Sequence, residues 1–249
     1  MTIKAVVFDF SLTLIKTKGR LYRYIQNKIV QRFGDIVSRK LPEIESIYES
    51  TRKEKYDLGV EVHPYKWIVK VLEILDVEPT KELLEEILDK AEERYMKDMV
   101  VFDDVLPTLN ALKERDIIMA VLSNMPDGDL VRKSLNHLKL SHFFTYVVTS
   151  FDINMRKPLP DVFKYIIDRL EVPSKNVLMV GDQLEDDIWG ANMVGAKTAL
   201  IERHAQKDSP IVREAKIYKL LKKTAPTYRI RSLTEIIDII KNEKEKKED

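Results

Sequence analysis

Cysteine is absent from the chain, so neither a disulfide framework nor a thiolate metal site is available to it. No stretch approaches the roughly 18 consecutive apolar residues that a membrane-spanning helix requires. The opening residues MTIKAVVF run directly into an apolar, strand-like segment, and no secretory leader is expected. These absences lead to the expectation of a cytoplasmic protein with no membrane partner. An excess of one charge is missing too: 42 Lys and Arg stand against 41 Asp and Glu, for a formal net charge of +1. Without a global field, nucleic acid is not an expected partner either. Internal repeats are also lacking. What is abundant is charge of both signs, 33% of all residues, a Lys- and Glu-rich balance that resembles the compositional bias of thermophiles. At 249 residues the chain can hold one α/β domain with a substantial insert.

The stretch KAVVFDFSLTL, Lys4 to Leu14, organises the remainder. Ala5-Val6-Val7-Phe8 is continuous, rich in β-branching and too short for a helix, which predicts a strand buried on both faces. Its carboxyl end presents Asp9, and open α/β sheets bind ligands just outside the carboxyl ends of their strands. Ile117 to Leu122 predicts a second buried strand, ending in Ser123-Asn124. Met155-Arg156-Lys157-Pro158 reads as a loop that puts a lysine ahead of a helix starting near Pro160. Asn176 to Val180 predicts a third buried strand ending in Gly181-Asp182, with Asp187 early in the next helix. Taken singly, each residue has an ordinary explanation: Asp9 and Ser123 as caps, Lys157 as a solvated charge, Asp182 as a turn residue.

Together and in this order, these residues resemble the four motifs of the haloacid dehalogenase-like hydrolase superfamily. Asp9 matches the nucleophile of the first motif and Thr13 its threonine. Ser123 matches the hydroxyl residue of the second, Lys157 the lysine of the third, and Gly181-Asp182 with Asp187 the acidic fourth. RKPLPDVF and GDQLEDDIWGANMVGAKTALI follow the family's phrasing, and the resemblance runs from Lys4 to about Ile240. It implies an α/β fold, a Rossmann-like parallel sheet with an inserted all-helical cap domain. It also implies hydrolysis of a small phosphorylated substrate through an aspartyl-phosphate on Asp9. Ser123, Asn124 and Lys157 would bind the phosphoryl group, and Asp9, Asp182, Asp187 and the backbone carbonyl of Ser11 would hold Mg²⁺.

The residue types suit that chemistry on general grounds. A carboxylate nucleophile splits a hard hydrolysis into two easier steps. Clustered carboxylates repel one another and a phosphate, so a divalent cation is needed to hold them ionised together, and Mg²⁺ prefers their hard oxygens. A cation and a hydroxyl beside the transferring group stabilise its charge. Two positions depart from the family pattern. Ser11 stands where the phosphatases usually carry a second Asp, the general acid and base, and a serine cannot do that work near neutral pH. Such help is worth on the order of 100- to 10,000-fold, so alkyl phosphates are expected to be poor substrates and acyl or aryl phosphates better ones. Leu12 replaces a residue that is usually small. Dehalogenation at carbon, phosphonate cleavage with an extra cap lysine, and ligand or partner binding with little turnover stay open as alternatives.

Between Leu14 and Val101 the chain reads as helices, roughly Gly19 to Phe33, Pro42 to Leu58, His63 to Leu75 and Thr80 to Lys97. In the last, Leu83, Leu84, Ile87, Leu88, Ala91 and Tyr95 recur at helical spacing behind Thr80 as N-cap. The expected division is a core of residues 1–15 and 101–249 and a helical cap of residues 16–100, with linkers near Ile15 to Lys18 and Asp98 to Asp103. Arg20, Tyr22, Arg23, Tyr24, His63, Tyr65, Lys66 and Trp67 could face the site, although long basic and aromatic side chains more often cover apolar surface. His63 reads as a helix-start residue.

Beyond Val101 the expected elements alternate: helix Pro107 to Arg115, strand Ile117 to Leu122, helix Asp127 to Leu138, strand Tyr146 to Thr149, helix Pro160 to Leu170, strand Asn176 to Val180, helix Glu185 to Val194 and strand Lys197 to Ile201. Such alternation argues for a parallel sheet covered on both faces. Arg203 to Lys223 is basic and amphipathic, with Ile211, Val212, Ala215, Tyr218 and Leu221 as an apolar stripe that would meet the core or a second subunit. Monomer and homodimer are both left open. A strand near Thr227 to Ile230, a helix from Ser232 to Ile240 and a frayed tail NEKEKKED close the chain.

Overall fold

A computed structural model describes residues 2–203 and 224–245. Its centre is a six-stranded sheet in the order β5-β4-β1-β6-β7-β8, parallel throughout. The strands are β1 (Ala5–Phe8), β4 (Ile118–Ser123), β5 (Tyr146–Thr149), β6 (Val177–Gly181), β7 (Lys197–Ile201) and β8 (Tyr228–Ile230). β1 lies between β4 and β6, with Phe8 level with Val121 on one side and Val180 on the other. Ala5, Val6, Val7 and Phe8 are all buried, as expected of a strand covered on both faces. One apolar layer collects Val6, Phe8, Val121, Leu178 and Val180, and the opposite layer collects Ala5, Val7, Ala120, Leu122 and Met179. Period-two alternation therefore divides one apolar run between two cores. The order reverses beside β1, so the carboxyl ends of β1, β4 and β6 meet at the place where open sheets form their crevice.

Helices α1 (Leu21–Phe33), α2 (Asp35–Leu58), α3 (Pro64–Ile74) and α4 (Lys81–Lys97) leave and rejoin this sheet through a two-stranded antiparallel pair, β2 (Ile15–Lys16) with β3 (Val100–Val101). The expected linkers are thus short paired strands. Thr80 caps α4 through the Leu83 N–H at 3.3 Å, as expected. The second helix begins earlier than the sequence suggested and runs through Pro42. Gly34, at φ +57°, ends α1 and starts α2 at once, and buried Val37 and Ile44 pack on both sides of the proline. Tertiary burial outweighs the lost backbone hydrogen bond.

Helices α5 (Val105–Lys113), α6 (Gly128–His137), α7 (Ser150–Ile153) and α8 (Pro160–Leu170) follow their strands. After β6 comes a π-helical turn, Leu184–Trp189, that continues as α9 (Gly190–Met193). The C-terminal helix, Glu235–Glu245, extends beyond the expected end at Ile240, because Glu243 is buried against Lys197 and Tyr228. The amphipathic stripe expected within 204–223 lies outside the described residues. Among the described residues no helix is long and apolar enough to cross a membrane.

Candidate active site

Asp9 follows the last residue of β1, and its N–H donates to the Val180 carbonyl at 2.8 Å, which fixes it at the sheet's carboxyl edge. One carboxylate oxygen accepts from Lys157 Nζ at 2.7 Å. The same ammonium donates to Asp187 at 2.6 Å and to the Leu122 carbonyl at 2.9 Å, so all three of its hydrogens are used. Lys157 is 2% exposed. Burial alone would lower its pKa, but Asp187 and Asp9 outweigh burial and hold it above the usual lysine range. Burial, with help from the Asp187 charge, raises Asp9 to about 6 against the opposing pull of Lys157.

Asp182 and Asp187 complete the cluster. Asp187 takes its place in the π-helical turn, where its carboxylate accepts from the Gln183 N–H at 3.0 Å. It packs so closely on the end of β6 that a Cβ at Gly181 would lie 2.2 Å from its Oδ2. Glycine there is a steric requirement. Both carboxylate oxygens of Asp182 are buried and accept no hydrogen bond from the described residues. Burial, then the charges of Asp9 and Asp187, push its pKa up to about 9. A buried carboxylate pair of this kind is costly unless a cation joins it. One oxygen from each of Asp9, Asp182 and Asp187 lies within 4.8 Å of the others, a hard-oxygen set that fits a divalent cation such as Mg²⁺.

Ser123 ends β4 and is 3% exposed. Asn124 turns its side chain to the Lys157 peptide, donating to its carbonyl at 2.9 Å and accepting from its N–H at 2.8 Å. Ser11 is partly exposed beside the phenol of Tyr95, which α4 brings to it. Leu12 adopts φ +64° and its N–H donates to the Ile15 carbonyl at 2.6 Å. The turn therefore closes with a bulky residue in the left-handed region, at a cost of roughly 1–2 kcal/mol. Thr13 is fully buried, and its carbonyl accepts from the Arg203 guanidinium at 3.1 and 3.2 Å.

A cavity of about 230 Å³ opens beside Ser11 and Asn124, between α1, α2, α3 and the loops after β4 and β6. Of the residues suspected from the sequence, Arg20, Tyr22, His63 and Trp67 line it. Tyr24 instead donates to Asp98 at 3.2 Å, and Lys66 pairs with Glu54. His63 caps α3, accepting from the Tyr65 N–H at 3.3 Å, as a helix-start residue should. Sequence reasoning missed Tyr48, Thr51, Arg52, Lys55, Tyr56, Arg156 and Asp186 on the same wall. The first five recur at i, i+3, i+4, i+7 and i+8 on α2, a helical face whose polar character was the available signal.

A family model described as haloacid dehalogenase-like hydrolase matches residues 6–201. A glyceraldehyde 3-phosphate phosphatase of Methanopyrus kandleri is 28% identical over 83% of this chain and 87% of its own length. A ribulose-1,5-bisphosphate 5-phosphatase of Halopiger xanaduensis is 32% identical, over 46% of this chain and 48% of its own length, so the match spans about half of each. Among solved structures, a HAD phosphatase from Thermococcus onnurineus superposes with a TM-score of 0.65 at 25% identity, covering 96% of this chain and 98% of that one.

Proposed function

Since the chain belongs to the haloacid dehalogenase-like hydrolase family, we propose that it is a Mg²⁺-dependent phosphatase that acts on a small phosphorylated metabolite through an aspartyl-phosphate on Asp9. The observation that carries this reading is the buried set of Asp9, Asp182 and Asp187 around Lys157, with both Asp182 oxygens lacking a partner among the described residues. The phosphatases named among its relatives support it.

In this reading a carboxylate oxygen of Asp9 attacks phosphorus and displaces the leaving oxygen, and water then releases phosphate from Asp9. Lys157 and the Ser123 hydroxyl meet the phosphoryl oxygens, while Asn124 holds the Lys157 peptide in register. Mg²⁺, held by Asp9, Asp182, Asp187 and the Ser11 carbonyl, would neutralise charge on the transferring group. Residues 16–100 act as the cap that covers the site, and residues 1–15 and 101–249 as the core. Ser11 supplies no general acid, so leaving groups that depart without a proton are favoured.

The test is hydrolysis of acetyl phosphate, p-nitrophenyl phosphate and a sugar phosphate side by side, with and without Mg²⁺. Metal-dependent turnover of the first two, far above the third, is expected. Turnover of none of them would refute the reading.

A further inference from the structure

Tyr48, Thr51, Arg52, Lys55 and Tyr56 occupy the face of α2 on which a bundle helix ordinarily presents an apolar stripe. Here that face is hydroxylic and cationic, and it walls the cavity beside Ser11. Three residues that line the cavity, Thr51, Trp67 and Arg156, each carry a buried group, Oγ1, Nε1 and Nε respectively, with no hydrogen-bond partner among the described residues. Their residues are 5%, 5% and 6% exposed, so bulk solvent does not serve them freely. An indole N–H and a guanidinium N–H can only donate, and a buried unpaired donor is costly. The missing partner is therefore an acceptor.

Charge points the same way. Arg20, Arg52, Lys55 and Arg156 line the cavity, and among the described residues its wall carries one carboxylate, Asp186. Behind them Glu49 pairs with Arg52 at 3.1 Å, and Glu61 pairs with Lys55 at 2.7 Å and with Arg156, so four cations stand against three carboxylates. Burial pulls the Lys55 ammonium below the usual lysine range against the opposing pull of Glu61, and a further anion beside it would add to that pull. A volume of about 230 Å³ is below the roughly 300–1,000 Å³ of most ligand sites, which favours a small occupant.

We propose, building on the phosphatase reading, that this cavity selects phosphomonoesters whose far end carries a second anionic group, a carboxylate or a second phosphate. That group is seated on Thr51, Arg52, Trp67 and Arg156. The phosphoryl group meets Asp9 and Lys157 at one end while the second anion is held by the α2 face at the other.

The experiment compares kcat/KM for hydroxyethyl phosphate, phosphoglycolate and ethylene glycol bisphosphate on the full chain with Mg²⁺, each divided by that for acetyl phosphate. These differ in the far group, which is neutral, a carboxylate or a phosphate. At least one charged compound should exceed the neutral one by roughly tenfold or more, the yield of a charge-assisted hydrogen bond, and which one identifies the anion. Thr51→Val, which removes the hydroxyl while keeping volume, and Trp67→Phe, which removes the indole N–H along with one ring, should each shrink that ratio mainly through KM. A wild-type ratio near one overturns the proposal, and needs no variant to fold. If acetyl phosphate is not turned over, the phosphatase reading fails separately. In that case, or if the three alkyl phosphates are turned over too slowly to compare, binding calorimetry of the same three compounds decides the present inference, with equal affinities refuting it.

Discussion

Asn124 and Lys157 are joined by a two-point clamp: the Asn124 amide donates to the Lys157 carbonyl at 2.9 Å and accepts from its N–H at 2.8 Å. The clamp spans two loops, one after β4 and one before α8, and it fixes the backbone from which the ammonium reaches Asp9 and Asp187. Asn124→Ala would leave both peptide groups without this partner, at a cost of about 1–3 kcal/mol. Thermal unfolding should register that loss, and kcat should fall while KM for acetyl phosphate changes less, because the ammonium is misplaced during transfer. An unchanged kcat would contradict the positioning role.

Ser11 lines the cavity, on the turn that Leu12 closes at φ +64°. In the proposed reading, Ser11→Asp would supply the titratable oxygen that the leaving group lacks. Alkyl phosphate hydrolysis should rise by about 100-fold or more, up to the roughly 10,000-fold that general acid–base help can supply. Acetyl phosphate, whose leaving group departs without a proton, should gain far less. Parallel gains on both substrates would contradict the assignment of Ser11 as the missing acid.

Arg203 ties the turn after Asp9 to Asp104 and, through it, to the segment at Ser232 and Leu233. Its guanidinium donates to the Thr13 carbonyl and, at 2.7 Å, to Asp104, and it stacks 3.9 Å over the Phe102 ring. Asp104 in turn accepts from Ser232 and from the Leu233 N–H. Arg203→Ala and Asp104→Ala should each destabilise by about 2–3 kcal/mol, and the double variant by less than their sum. Urea unfolding of the three variants checks this, and strict additivity would contradict a shared network.

Glu92 on α4 is buried and faces Asp127, the N-cap of α6, with Lys133 and Asp89 nearby. Burial, then Asp127, raises its pKa from 4.5 to about 8, while His63, first among several partners, holds Asp127 down at about 2. Because the folded pKa is raised, the folded chain binds the extra proton. The stabilisation is complete below pH 4.5 and is lost as pH rises through about 8. The thermal midpoint should therefore fall across that interval, and Glu92→Gln, which keeps a donor toward Asp127, should flatten the decline. A Gln variant with the wild-type slope would contradict the assignment.

The sheet was legible because its strands are short, continuous apolar runs, and Asp9, Ser123 and Asp182 stand at or just past their carboxyl ends, whereas Lys157 lies in the loop before α8. The same logic located Asp187 but not its turn, since a π-helical start leaves no mark in apolar spacing. The paired strands β2 and β3 were invisible because each has only two residues and gains its partner across the whole of α1–α4. The early start of α2 was hidden behind Pro42, where packing overrode local preference. The cavity wall on α2 was missed for a different reason. Its polar face has helical spacing, but only the fold brings Arg156 and Trp67 to the same space.

The most direct test of the account is phosphate release from acetyl phosphate by Asp9→Asn against the wild-type chain, in Mg²⁺, with circular dichroism on both. The account predicts that release falls to the background rate while the spectrum and unfolding cooperativity are retained. Undiminished release by a folded Asp9→Asn chain would contradict the nucleophile assignment and, with it, the proposed chemistry.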